Sequence, residues 1–107
     1  MVGWFRSRSR AAAGEAERRE RANCLRYLGT NGSEINWSFI RAVHMSVADI
    51  AVAPLQDLLG LGSSARMNTP GVALGNWRWR FPEGALTAEL RRRMREMTAI
   101  YGRLTRD

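Results

Sequence analysis

Apolar and polar positions divide the chain into four stretches. Over residues 10–28 the pattern is helical. Ala11-Ala12-Ala13 leads into mixed charges, and Ala22, Leu25 and Leu28, with Cys24 beside them, mark one narrow apolar stripe. Gly14 weakens this helix locally, and Gly29, just past the last apolar residue, is placed for a left-handed C-cap. Thr30-Asn31-Gly32-Ser33 reads as a turn. A second helix is expected over about residues 36–46, with Asn36 as its cap. Trp37, Ile40 and His44 share one face, with Val43 and Val47 beside them. Phe39 and Met45 carry the apolar surface nearly all the way round, which predicts burial on more than one side.

Ile50-Ala51-Val52-Ala53 is then a short apolar run bounded by Asp49 and Pro54. A run without alternation fits a parallel strand buried on both faces, and Pro54, which cannot donate to a ladder, marks its end. No second strand pattern accompanies it, so the strand predicted at about residues 50–54 lacks neighbours. Residues 55–85 are irregular. Leu55-Gln56-Asp57-Leu58-Leu59 allows a helical turn, and Gly60 and Gly62 break it. Stretches this long are functional or disordered, and Trp77 and Trp79 argue against disorder. The last stretch is a helix from Thr87, its N-cap, to about Leu104. Leu90, Met94, Met97, Tyr101 and Leu104 fall at three- and four-residue steps.

At 107 residues the chain is one domain at most. A complete (β/α)₈ barrel takes about 250 residues, so a whole enzyme of that kind is excluded, though a piece of one is not. No apolar run approaches the ~20 residues that cross a bilayer. The start has no signal-peptide core, since charge arrives at Arg6. One cysteine, Cys24, cannot form an internal disulfide, which points to a reducing compartment and a cytoplasmic location.

The net charge of +7 raises nucleic acid as a partner. All 17 basic side chains are arginine, however, and most sit among acids. Glu15, Glu17 and Glu20 alternate with Arg18, Arg19 and Arg21, a spacing that forms surface ion pairs worth a few tenths of a kcal/mol each. Arg91-Arg92-Arg93 with Arg95 is the one block of a single sign, and Glu89 and Glu96 dilute it. The alternative reading is a small basic nucleic-acid-binding module that uses this face, with Trp77 and Trp79 for base stacking.

No catalytic constellation is visible. Asp49 and Asp57 flank the predicted strand, roughly 15–25 Å apart if extended at ~3.3 Å per residue, too far to act on one bond. Glu83 has no identifiable partner. His44 and Cys24 are too few for a metal site. His44 reads as a satisfied core histidine rather than a ligand, and Cys24 as a small buried hydrophobe rather than an activated thiol. Arg66-Met67-Asn68-Thr69-Pro70-Gly71 is different. Asn68 carries an amide that both donates and accepts, which suits a sugar hydroxyl, and Pro70-Gly71 would hold it still. Equally, Asn68 and Thr69 could serve only to turn the chain.

The run Ala51-Val52-Ala53-Pro54-Leu55-Gln56-Asp57-Leu58-Leu59-Gly60-Leu61-Gly62 is followed by Ala65-Arg66-Met67-Asn68-Thr69-Pro70-Gly71 and Gly75-Asn76-Trp77-Arg78-Trp79-Arg80. Together these closely resemble the C-terminal part of the 4-α-glucanotransferases, the amylomaltases or disproportionating enzymes of glycoside hydrolase family 77. Gly3-Trp4-Phe5, Ile40-Arg41 and Ser46-Val47-Ala48-Asp49 resemble the same family in the same order. The likeness runs from about residue 2 to 102.

The resemblance implies the C-terminal portion of a (β/α)₈ TIM barrel in the α/β class, mostly helix with one central parallel strand, incomplete as an isolated chain. The order would be the helix after strand seven, the helix before strand eight, strand eight at residues 50–54, a substrate-side loop at 55–85, and a closing helix at 87–104. It also implies transfer of α-1,4-glucan segments by a retaining double displacement, with no cofactor and no metal, on malto-oligosaccharide or α-1,4-glucan. The family's aspartate nucleophile, glutamate acid/base and second aspartate have no counterpart here, so no catalytic residue is expected. The expected reading is a fragment, inactive and poorly ordered alone, lacking the N-terminal portion of the same barrel, with neither nucleic acid nor membrane as partner. Substrate contact is the role that carries over. Asn68 is the principal candidate, Arg66 and Asp57 would fix its loop as an ion pair, and Gln56 and Trp77 are weaker candidates.

Overall fold

A computed structural model describes residues 1–105 of the chain. Its first element is one the apolar pattern did not predict. Val2 and Phe5 lie three residues apart on a single turn of helix α1 (Val2–Ser7), and both are buried. A six-residue helix is unstable by itself, so tertiary contact must hold it. Trp4 and Phe5 each meet Phe39 edge-on, with ring centroids 6.5 Å apart.

Helix α2 (Glu15–Leu28) starts five residues later than the expected 10–28. Gly14 takes the extended N-cap conformation, and its N–H donates to the Glu17 carboxylate at 3.0 Å. The cap therefore sits at the glycine, and Ala11–Ala13 are left in a turn closed by Ala13 N–H to the Arg10 carbonyl. At the other end Gly29 is left-handed, as expected.

Helix α3 (Ile35–Met45) is the centre of the molecule, touched by α2 and by the two later helices. Ile40 is fully buried, and Trp37 and His44 lie on the same buried face. The predicted cap at Asn36 does not form. Glu34 occupies the N-cap position, and Asn36 lies inside the helix, where its Nδ2 donates to the Asp57 carbonyl at 3.0 Å. That bond ties α3 to helix α4 (Leu55–Leu58), which is followed by a 3₁₀ turn (Ser63–Ala65).

Helix α5 (Ala88–Ile100) begins as expected, with Thr87 Oγ1 accepting the Leu90 N–H at 3.1 Å. It ends before Leu104. Gly102 turns left-handed (φ 68°), Gly102 N–H reaches the Ala99 carbonyl at 3.0 Å, and Arg103 N–H reaches the Thr98 carbonyl at 2.9 Å. These paired bonds close the last turn. Leu90, Met94, Met97 and Tyr101 form the half-buried stripe, while Leu104 lies outside the helix and exposed.

Polar clamps seat α5 on α3. Arg93 grips the Glu34 carboxylate with two bonds of 2.8 and 2.9 Å and stacks 4.2 Å over Trp37. Arg41 Nε donates to Tyr101 Oη at 2.7 Å. The Arg103 guanidinium donates to the carbonyls of His44 at 2.9 Å, Ser46 at 3.0 Å and Ala48 at 2.7 Å. It thereby collects the carbonyls that the end of α3 leaves unpaired.

The strand expected at residues 50–54 is not formed, and no β-strand occurs among the described residues. A ladder needs a second strand, and none lies alongside. Residues 50–53 make no backbone hydrogen bond among the described residues. Ala51 and Ala53 are half-buried, while Ile50 and Val52 are 79% and 75% exposed. The alternation shows an element covered on one side only.

The dimensions agree. The radius of gyration is 15.5 Å, against about 13 Å for a compact domain of this length. The accessible surface is 8058 Å², where a self-sufficient protein of 12.1 kDa exposes about 6,000 Å².

Candidate functional site

Helices α1 and α4 and the segment after the 3₁₀ turn surround a cavity of about 440 Å³. Trp4 and Ser7 line it from α1, Gln56 and Asp57 from α4, and Arg66 and Met67 from the following segment. Asp57 is buried, and its carboxylate accepts the Val2 N–H at 3.3 Å and the Met1 nitrogen at 3.2 Å. It therefore holds the start of α1 against α4 across 55 positions of sequence. The expected Asp57–Arg66 ion pair is not formed. The carboxylate is turned to α1, where a backbone donor in a buried site has no other acceptor, and Arg66 stays exposed at the rim.

Beyond Met67 the chain closes into a small loop. Val72 N–H bonds to the Thr69 carbonyl at 3.2 Å, with Pro70 second and Gly71 third at φ 78°. Those are the residues a type II turn requires. Asn76 pins the turn from both sides: its Oδ1 accepts the Thr69 N–H at 2.9 Å, and its Nδ2 donates to the Val72 carbonyl at 2.8 Å. The Trp77 N–H then returns to the Met67 carbonyl, with Trp77 left-handed at φ 60°. A non-glycine residue holds that conformation only where its surroundings enforce it.

The two meanings weighed for Asn68 and Thr69 part here. Thr69 serves the turn through its backbone. The Asn68 side chain is exposed and has no hydrogen-bond partner among the described residues. Trp77 is 66% exposed, and Trp79 is half-buried. Gln56, Asp57 and Arg66 thus share one cavity, while Asn68 and Trp77 belong to the pinned loop that Met67 joins to it. Trp4 and Asn76 were not singled out as site residues by sequence reasoning. Trp4 lines the cavity, with the Arg8 guanidinium 4.4 Å over its ring. The apolar pair Val2 and Phe5 was the available signal for α1. For Asn76 there was none, because its role depends on the loop's closure.

The remaining chemistry is quiet. His44 is buried, with Nδ1 donating to the Ile40 carbonyl at 2.9 Å, a satisfied core histidine. Burial pushes the Cys24 thiol up, and Arg21 draws it only partly back, so it is not an activated thiolate. Glu34 and Glu89 are held below the usual carboxylate range, first by hydrogen bonds from Arg93 and Arg92 and then by their charge. Among the described residues no three His, Cys, Asp or Glu side chains cluster as metal ligands. No described helix is long and apolar enough to cross a membrane. Within the arginine block, Arg92 bridges Glu89 and Glu96 while Arg93 holds Glu34.

Residues 1–87 match the protein family described as 4-alpha-glucanotransferase, glycoside hydrolase 77. The chain belongs to that family. A 4-alpha-glucanotransferase of Synechocystis sp. is 44% identical over 103 residues, covering 95% of this chain and 19% of the relative. That of Thermus thermophilus is 39% identical, covering 96% of this chain and 20% of the relative. The solved amylomaltase of Streptococcus agalactiae, in complex with acarbose, superposes on 97% of this chain with a TM-score of 0.80 at 28% identity, and the match covers 20% of that structure. The chain thus spans about a fifth of the length of these 4-alpha-glucanotransferase relatives.

Proposed function

We propose that this chain forms one wall of the glucan site of a 4-alpha-glucanotransferase, and that it binds α-1,4-glucan without carrying the reacting acids. The observation that carries this reading is the Asn68 amide. It is unpartnered among the described residues, on a loop that Asn76 pins on both sides, beside the cavity of Gln56 and Asp57. An amide fixed in that way donates to one sugar hydroxyl and accepts from another, with little ordering left to do on binding. Trp77, exposed next to it, offers a ring face to a pyranose. Asp57 acts as a positioning residue through α1 rather than as a sugar ligand. Gln56 and Arg66 reach the same cavity and supply further polar contacts.

In this reading the chain is the last part of a (β/α)₈ barrel, residues 50–54 are its final strand, and residues 55–85 form the substrate-side loop. Family membership and the unsatisfied edges of residues 50–53 support it. The nucleophile, the acid/base and the stabilising carboxylate lie outside this chain, which fits the dispersed, arginine-paired acids described above. The reaction is a retaining transfer of a glucan segment to glucose or to another α-1,4-glucan. It involves no cofactor, no nucleic acid and no membrane, and its setting is the cytoplasm.

Titration of the isotope-labelled chain with maltotriose tests the binding role. The Asn68 side-chain amide and the Trp77 indole N–H are expected to shift together, and Asn68→Ala is expected to weaken binding about tenfold. Shifts confined to α2 and α5, or an Asn68→Ala variant that binds as wild type does, would refute it.

A further inference from the structure

We infer that the face centred on Ile50 and Val52 is a two-edged docking site for the part of the 4-alpha-glucanotransferase fold outside this chain, and that the chain engages that part in trans, without a covalent link. The inference rests on the proposed function and names the partner of the same site. Four observations converge. Residues 50–53 leave their backbone donors and acceptors unpaired among the described residues, so strands can add on both sides. Ile50 and Val52 stand out on one side of the run, 79% and 75% exposed, with Val47 wholly exposed and Met45 more than half exposed nearby. An apolar hollow of about 320 Å³ opens beside them, lined by Tyr27, Phe39, Val43 and Ile50. Tyr27 is 87% exposed, so the hollow continues the same surface.

The amount of surface fits the occupant. The chain shows 8058 Å², about 2,000 Å² above a self-sufficient protein of its mass, an excess on the scale of an obligate interface. The relatives are about five times as long as the region this chain matches, so a partner of sufficient size is defined. The docking surface is already assembled, because α3, α5 and the Arg103 clamp fix both ends of the segment that carries residues 46–49. What remains is pairing of backbone edges and burial of exposed apolar side chains, neither of which requires the polypeptide to be continuous.

The test mixes the purified chain with the Synechocystis 4-alpha-glucanotransferase lacking the region that this chain matches. Light scattering after size exclusion is expected to show a one-to-one complex, with amide exchange at residues 51–53 slowed at least a hundredfold. The double variant Ile50→Asp, Val52→Asp is expected to weaken the complex at least tenfold. Val52→Pro, which removes one edge donor, is expected to do the same while leaving the helical circular dichroism unchanged. Absence of a complex, self-association of the chain through residues 50–53 in preference to the complex, or equal binding by all variants would overturn the inference. The two parts joined in one polypeptide separate this outcome from the functional reading. A joined protein that disproportionates maltotriose while the mixture forms no complex refutes docking alone. A protected complex whose joined form is inactive refutes the glucan-transfer reading alone.

Discussion

Replacing Asp57 tests whether the cavity wall depends on a buried carboxylate or merely contains one. The carboxylate accepts the Val2 N–H at 3.3 Å in a buried setting and is the only link drawn from α4 to the start of α1. In Asp57→Ala that donor loses its acceptor with no water to replace it. An unsatisfied buried donor costs about 1–3 kcal/mol, and the long bond places the expectation near the middle, about 2 kcal/mol. In Asp57→Asn the side-chain oxygen still accepts the Val2 N–H, so the loss is that of charge assistance, about 1 kcal/mol. Because α1 is only six residues long, the effect falls on local opening of that helix. Native-state amide exchange at Phe5 and Arg6 reads it directly. Exchange is expected to accelerate about 30-fold in Asp57→Ala and about fivefold in Asp57→Asn, with α5 amides unchanged. An alanine variant within twofold of wild type, or an asparagine variant as fast as alanine, would refute the positioning role.

Arg103→Ala removes three short carbonyl bonds at the end of α3 and is expected to destabilise the α3–α5 pair by about 2 kcal/mol; Arg103→Lys recovers less than half of it, since a point charge cannot span three acceptors, and urea unfolding followed by helical signal measures both. Asn76→Ala unpins the Thr69–Val72 turn and is expected to weaken maltotriose binding several-fold with helix content unchanged, as seen by titration beside circular dichroism. The Glu34–Arg93 clamp carries a pH dependence. Its hydrogen bond and charge lower the Glu34 pKa in the folded state, so its contribution is complete above the ordinary glutamate range and lost as pH falls through the lowered value. Acid titration of the Trp37 fluorescence should show α5 loosening only below that range, and Glu34→Gln should abolish the step.

Helices α2, α3 and α5 were legible because each buries a stripe, and stripes leave a period in the sequence. Their ends were less so. Asn36 has the chemistry of a cap, but the Asp57 carbonyl competes for its amide. Thr87 has no such competitor and caps as expected. Helix α1 is too short to show a period. The buried run at residues 50–53 was read correctly as a pattern and wrongly as an element, because a strand is a property of two segments and the sequence holds one. At the site, Asn68 was legible by the chemistry of its side chain. Asp57 was not, since the partner that decides its role, the Val2 backbone N–H, is identical in every residue but proline. Asn76 and Arg103 act on backbone atoms distant in sequence, and no local pattern reports such contacts.

Maltotriose disproportionation is the most direct test of whether this chain supplies substrate contacts without the reacting acids. Two maltotrioses yield glucose and maltopentaose, and both products are resolved by chromatography. The chain alone is expected to yield neither, and the chain joined to the remainder of a relative to yield both, at a rate that Asn68→Ala lowers. Turnover by the chain alone would contradict the account.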